Sequence, residues 1–160
     1  MKRLEIRGAS GAVWVEALDP NPDDGIAPGE VLLRVDVSSG GFTGRMFPCV
    51  RASHLREFAA ALQGLRDRRA GDAILPGVDD SFFFRVAWEE RDCGLHLAAT
   101  GRITCYAGDG APHANELRFG LDFPEAALAG VVAAVQSMAK ELAEPGAAPD
   151  PAARFGSGNS

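Results

Sequence analysis

From Val31 the chain alternates. Val31, Leu33, Val35 and Val37 fall on one side, while Arg34, Asp36 and Ser38 fall on the other, with Leu32 the exception. That period of two predicts a strand with one buried face. Ser38-Ser39-Gly40-Gly41 then supplies residues suited to a tight hairpin, and Phe42 to Val50 returns as the second strand. Pro48 has no N–H for a ladder, so an edge or a bulge is expected there. Beyond it the spacing becomes helical through Leu55, Phe58, Ala59, Leu62 and Leu65. Ser53 is placed to cap that helix and Gly71 to stop it. Upstream, Leu4 and Ile6, then Val13, Val15 and Ala17, alternate on either side of Gly8-Ala9-Ser10-Gly11, which predicts an opening hairpin. The segment from Asp19 to Gly25 is rich in turn formers and reads as a surface loop.

The second half repeats this grammar without repeating the residues. Phe82, Phe84, Val86 and Trp88 define a one-sided strand, and Glu89-Glu90-Arg91-Asp92 reads as a charged turn. Leu95, Leu97, Ala99, Gly101, Ile103 and Cys105 keep one parity and can line one face of a long strand. Gly101 within it reads either as a bulge or as a hairpin turn at Thr100-Gly101. A loop from Ala107 to Ala114 precedes a last strand marked by Leu117, Phe119, Leu121 and Phe123. Pro124 suits the first turn of a second helix, whose buried stripe is Leu128, Val131, Val132, Val135, Met138 and Leu142.

The order is β-β-β-β-α-β-β-β-α, without the βαβ alternation that a parallel sheet needs. An α+β fold follows, with a curved or two-layer antiparallel sheet of about seven strands and two covering helices. With 46% hydrophobic residues, 160 residues can build one core. A single domain over 1–143 is expected, and the apolar-poor segment 144–160 reads as a disordered tail.

Charge and cysteine usage narrow the function classes. A formal charge of -6 argues against nucleic acid as a partner, because phosphate contacts need a clustered basic surface. The basic run Arg66-Asp67-Arg68-Arg69 sits where a helix ends and favourably opposes its dipole. No apolar run is long enough for a membrane span, and Met1-Lys2-Arg3 leads into a charged strand, so a cytoplasmic protein is expected. Three irregularly spaced cysteines, Cys49, Cys93 and Cys105, fit reduced thiols better than a disulfide framework.

Candidate chemistry is sparse. Cys93, His96, Cys105 and His113 are acceptable zinc ligands at uninformative spacing, and a continuous strand would point Cys105 and His96 to opposite faces. No metal or other cofactor is expected. Cys49 or Ser53 beside His54 offers a nucleophile and a base, but adjacency in sequence is not convergence in space. The glycines of SSGGFTG lack the Gly-Lys-Ser/Thr of a phosphate loop. Trp14, Phe82, Phe84, Trp88 and Phe119 sit in alternating strands and read as core.

The segments VLLRVDVSSGGFTGRMFPCVRASHLREFAAALQGL, GDAILPG, FFFRVAWEERDCGLHLAATGRI and NELRFGLDFPEAAL together resemble the WapI-like family of small bacterial immunity proteins. The resemblance rests on the Gly40-Gly41-Phe42 return, Phe58 and Leu62 on the helix, Gly94 before the long strand, and Asn115 to Phe119, and spans most of Val31 to Met138. It implies a protein that binds and neutralises a toxin effector from interbacterial competition, with no catalytic residues. Under that reading, acidic loops would meet a basic toxin surface, with Asp23, Asp24, Asp79, Asp80, Glu89, Glu90 and Asp92 as the binding candidates. The competing readings are a small-ligand binder or enzyme with a pocket between sheet and helices, and a structural module that self-associates.

Overall fold

The computed structural model describes residues 3–19, 25–106 and 114–143. Five strands, β1 (Arg3–Gly8), β2 (Gly11–Ala17), β3 (Glu30–Ser39), β4 (Phe42–Met46) and β5 (Cys49–Arg51), lead into helix α1 (Ala52–Arg68). Four more, β6 (Asp72–Pro76), β7 (Phe82–Arg91), β8 (Gly94–Tyr106) and β9 (Ala114–Asp122), lead into α2 (Glu125–Ala143). The class is α+β, and every strand pair is antiparallel. One sheet runs β1-β2-β3-β4 with β5 also on β3, and the other runs β6-β7-β8-β9. None of the described helices is long and apolar enough to cross a membrane. The expected loop at 107–114 and the tail from Glu144 fall almost wholly outside the described residues.

Among the described residues nine strands replace the expected seven, for two local reasons. The return after Gly41 divides at Phe47-Pro48, and both pieces pair with β3, through Val35↔Met46 and Leu32↔Cys49. Pro48 donates nothing, yet its carbonyl accepts a bond from Leu33 N at 2.9 Å. The other addition, β6, turns only Ala73 and Leu75 inward, too short a pattern to register. Glu89, Glu90 and Arg91 belong to β7, and the turn is Asp92-Cys93.

Gly101 is neither bulge nor turn. Residue-by-residue pairing runs unbroken through it, with Phe84 on one side and Phe119 on the other. A Cβ there would lie 2.8 Å from Phe119 Cε1 and 2.7 Å from the Phe83 carbonyl oxygen. The glycine is therefore the floor on which the Phe119 ring lies.

Helix α1 continues directly from β5. Arg51 occupies the N-cap position without a side-chain bond, and Ala52 N donates to Gly29 O at 2.9 Å. Ser53 is thus already inside the first turn and does not cap. The helix stops at Arg69, not Gly71, with Arg69 in the left-handed region at φ 51°. Its N–H donates to Leu65 O, as does Trp88 Nε1 at 3.0 Å. The Arg69 guanidinium lies 5.3 Å from the Trp88 ring centroid and pairs with Glu125 at 2.9 Å, tying the end of α1 to the start of α2. Three contacts hold a residue in a conformation that costs most side chains energy.

Both sheets and both helices share one core. The inward faces of the sheets meet at Gly44, where a Cβ would lie 2.8 Å from Leu117 Cδ2 and 3.0 Å from Ile103 Cδ1. Elsewhere the helices fill the space, α1 against β5, β6 and β7, and α2 against β1 and α1. Phe58 of α1 meets Phe84 edge-on at 5.9 Å, and Phe84 stacks with Phe119 at 6.3 Å. The predicted stripe of α2 is buried except for Leu142, which lies at the exposed last turn.

Candidate interaction surface

With Val13, Val15, Val35 and Val37 turned inward, strand alternation turns Trp14, Glu16, Arg34, Asp36 and Ser38 outward. Trp14 therefore lies half-buried on the outer face of the first sheet, not in the core as its aromatic character suggests. The ladder sets a row across that face: Glu5 of β1 opposite Trp14, Trp14 opposite Asp36, and Asp36 opposite Arg45 of β4. Arg3 and Arg7, flanking Glu5, place their guanidinium carbons 5.3 Å and 5.9 Å from the indole centroid. Arg7 also pairs with Glu5.

On the other side of the indole, Asp36 accepts a bond from Arg34 Nε at 2.8 Å and another from Arg45 Nε. Burial works to raise the Asp36 pKa, but the bonds from Arg45 and Arg34 outweigh it and hold the carboxyl below its ordinary value. Trp14, Asp36, Ser38, Thr43 and Arg45 line a shallow concavity of about 540 Å³ beside the indole. Around the indole this face carries four arginines (Arg3, Arg7, Arg34, Arg45) and three carboxylates (Glu5, Asp36 and the buried Glu16).

This arrangement suits adhesion to a broad partner. The indole offers apolar area and an N–H on two rotatable bonds, and the arginines around it are held by stacking or ion pairs before anything binds. Trp and Arg dominate binding energy where such preorganisation lowers the entropy lost on contact. The ion pairs themselves are solvent-exposed and contribute little to stability.

The acidic candidates among the described residues lie elsewhere in the fold. Asp79 accepts the Ser81 N–H at 3.0 Å and the Ser81 hydroxyl, which lower its pKa and brace the turn before β7. The Asp80 carbonyl accepts from Arg102 Nη2 at 2.8 Å. Glu89 pairs with Arg85 at 3.3 Å and with Arg91 at 2.9 Å, while Glu90 and Asp92 are exposed at the far end of β7. That strand separates the two acidic groups by roughly 20 Å or more at about 3.3 Å per residue. They do not form one patch. Asp23 and Asp24 lie outside the described residues.

Cys93 Sγ comes within 3.0 Å of His96 Nε2 across the β7–β8 turn. The Cys105 side chain and His113 lie outside the described residues, and among the described residues no three His, Cys, Asp or Glu side chains gather as a metal site. Cys49 is half-buried in β5, and burial, then the Glu30 and Asp79 carboxylates, push its thiol pKa up, against thiolate chemistry. Ser53 and His54 are consecutive on α1, where neighbours diverge around the helix.

No protein-family model matches this chain, and no curated protein matches it.

Proposed function

We propose that this chain is a non-catalytic binding protein of the bacterial immunity type, acting in the cytoplasm by covering the working surface of a toxin effector. The observation that supports a binding role is the outer face of β1–β4, where a half-buried Trp14 lies among four arginines, two stacked on its ring and two paired with Asp36. The resemblance of Val31–Met138 to immunity proteins supplies the kind of partner. The complementary surface would present an apolar socket for the indole and carboxylates for the arginines, the reverse of the charge arrangement that the acidic loops suggested. Truncating a central Trp anchor typically costs 2 kcal/mol or more, about 30-fold in Kd.

The test is co-expression with toxin domains encoded beside the gene, scored by bacterial survival. Protection by the natural chain, lost in Trp14→Ala and retained in Glu90→Gln/Asp92→Asn, is the expected pattern. Survival unchanged by this protein against every adjacent toxin would remove the proposal.

A further inference from the structure

The second sheet carries an arrangement that its own residues leave unbalanced. Phe83 of β7, Arg102 of β8 and Arg118 of β9 occupy one rung of the ladder, so two arginines face each other directly across strands on the outer surface. Like charges so placed repel. Arg102 commits Nη2 to the Asp80 carbonyl, and its Nε is buried without a hydrogen-bond partner among the described residues. Buried donors without acceptors are rare in native proteins and call for an explanation.

The other charges nearby do not resolve this. Glu116, two residues from Arg118 on the same strand, pairs with Arg118 Nε and leaves its terminal nitrogens. Arg85, one rung along, is engaged by Asp72 at 3.0 Å and Glu89 at 3.3 Å. Among the described residues Arg118 thus has one carboxylate partner and Arg102 has none. They border a concavity of about 400 Å³ that is also lined by Phe83, Thr100, Gly101 and Phe119. The concavity thus combines two cations, one hydroxyl and an aromatic wall.

We infer that Arg102 and Arg118 form a binding site for a small oxyanion, the phosphate or carboxylate group of a small molecule, bridged between the two guanidiniums. Guanidinium matches the planar, bidentate demand of both groups. The Thr100 hydroxyl is available to donate, and Phe83 gives an apolar neighbour for the rest of the ligand. This site lies on a different sheet from Trp14 and does not depend on the immunity reading.

The experiment is a titration of ¹⁵N-labelled full chain with inorganic phosphate, and separately with acetate, at constant ionic strength, following backbone amides. Saturable shifts confined to Thr100, Arg102 and the facing part of β9 are expected with at least one anion, and which anion saturates distinguishes phosphate from carboxylate as the source. Arg118→Gln, chosen because the Arg118 side chain is largely exposed and makes only a surface ion pair, should weaken binding at least tenfold. The same substitution should leave the anion-free protein as stable as before or more so, because it removes the repulsion. Glu116→Gln should tighten binding by removing the competing carboxylate. Failure of both anions to saturate, or equal binding by Arg118→Gln, would overturn the site.

Discussion

Replacing Gly101 by alanine adds one carbon where the structure leaves no room for it. That Cβ would stand 2.8 Å from Phe119 Cε1 and 2.7 Å from the Phe83 carbonyl oxygen, whereas relaxed carbon contacts lie at about 3.5–4.0 Å. The carbonyl belongs to the β7–β8 ladder and cannot retreat without breaking pairing. The ring cannot swing inward either, because it stacks on Phe84, which in turn meets Phe58. Overpacking of this kind costs about 1–3 kcal/mol, offset by the 0.5–1 kcal/mol that alanine recovers over glycine in a strand, which leaves a net loss of up to about 2.5 kcal/mol. Gly120→Ala is the control, since its Cβ would meet only Thr100 Cγ2, at 3.6 Å. The alanine gain is common to both variants, so their urea unfolding should differ by the overpacking cost of about 1–3 kcal/mol, with Gly120→Ala neutral or slightly stabilised. Combining Gly101→Ala with Phe119→Leu should cost less than the two single changes added together, because the shorter side chain relieves the contact with the ring. Equal stabilities for Gly101→Ala and Gly120→Ala would refute the packing account of this strand.

Leu62→Ala should lose about 2–5 kcal/mol in urea unfolding because Leu62 is fully buried, while Ser53→Ala should stay within about 0.5 kcal/mol because Ser53 makes no cap. Asp36 has a lowered folded pKa, so its contribution to stability is complete above the ordinary carboxylate pKa and disappears as pH falls through the folded value. Asp36→Asn should accordingly flatten the stability profile below about pH 4, and an unchanged slope would show that the Arg34 and Arg45 bonds do not persist in solution. Peptide mapping after iodoacetamide at pH 8 should find exposed Cys93 modified about tenfold or more faster than Cys49, whose thiol is pushed up by burial and by Glu30 and Asp79.

What the residue pattern reveals follows from which forces act locally. The period of two in Val31 to Val37 and the helical spacing from Leu55 to Leu65 report burial directly, and the structure buries those residues. The class and antiparallel character follow from their order. Strand count is harder to read, because β5 and β6 each place only one or two apolar residues inward. Gly44 and Gly101 mark close approaches whose cause lies on other strands, Leu117 and Ile103 for one and Phe119 for the other, so no local pattern distinguishes them from turns.

The proposed binding face was partly legible. Trp14 has the opposite parity to Val13 and Val15, which already points it away from the core, although its aromatic character suggested burial. The Arg102–Arg118 rung was not legible, since fifteen residues of intervening chain hide a register that only strand pairing creates. Conversely, a run such as Glu89-Glu90-Arg91-Asp92 looks like a free acidic surface until pairing brings Arg85 and Arg91 onto Glu89.

The central claim is that the Trp14 face, not the acidic loops, is where this protein binds its partner. Its most direct test is the affinity of a purified adjacent toxin domain for the natural chain and for Trp14→Ala, with matched thermal stability of the two established first. An affinity at least about 30-fold weaker for Trp14→Ala, with Glu90→Gln/Asp92→Asn unchanged, is the predicted result. Equal affinity of Trp14→Ala and the natural chain, with binding lost instead in Glu90→Gln/Asp92→Asn, would contradict it.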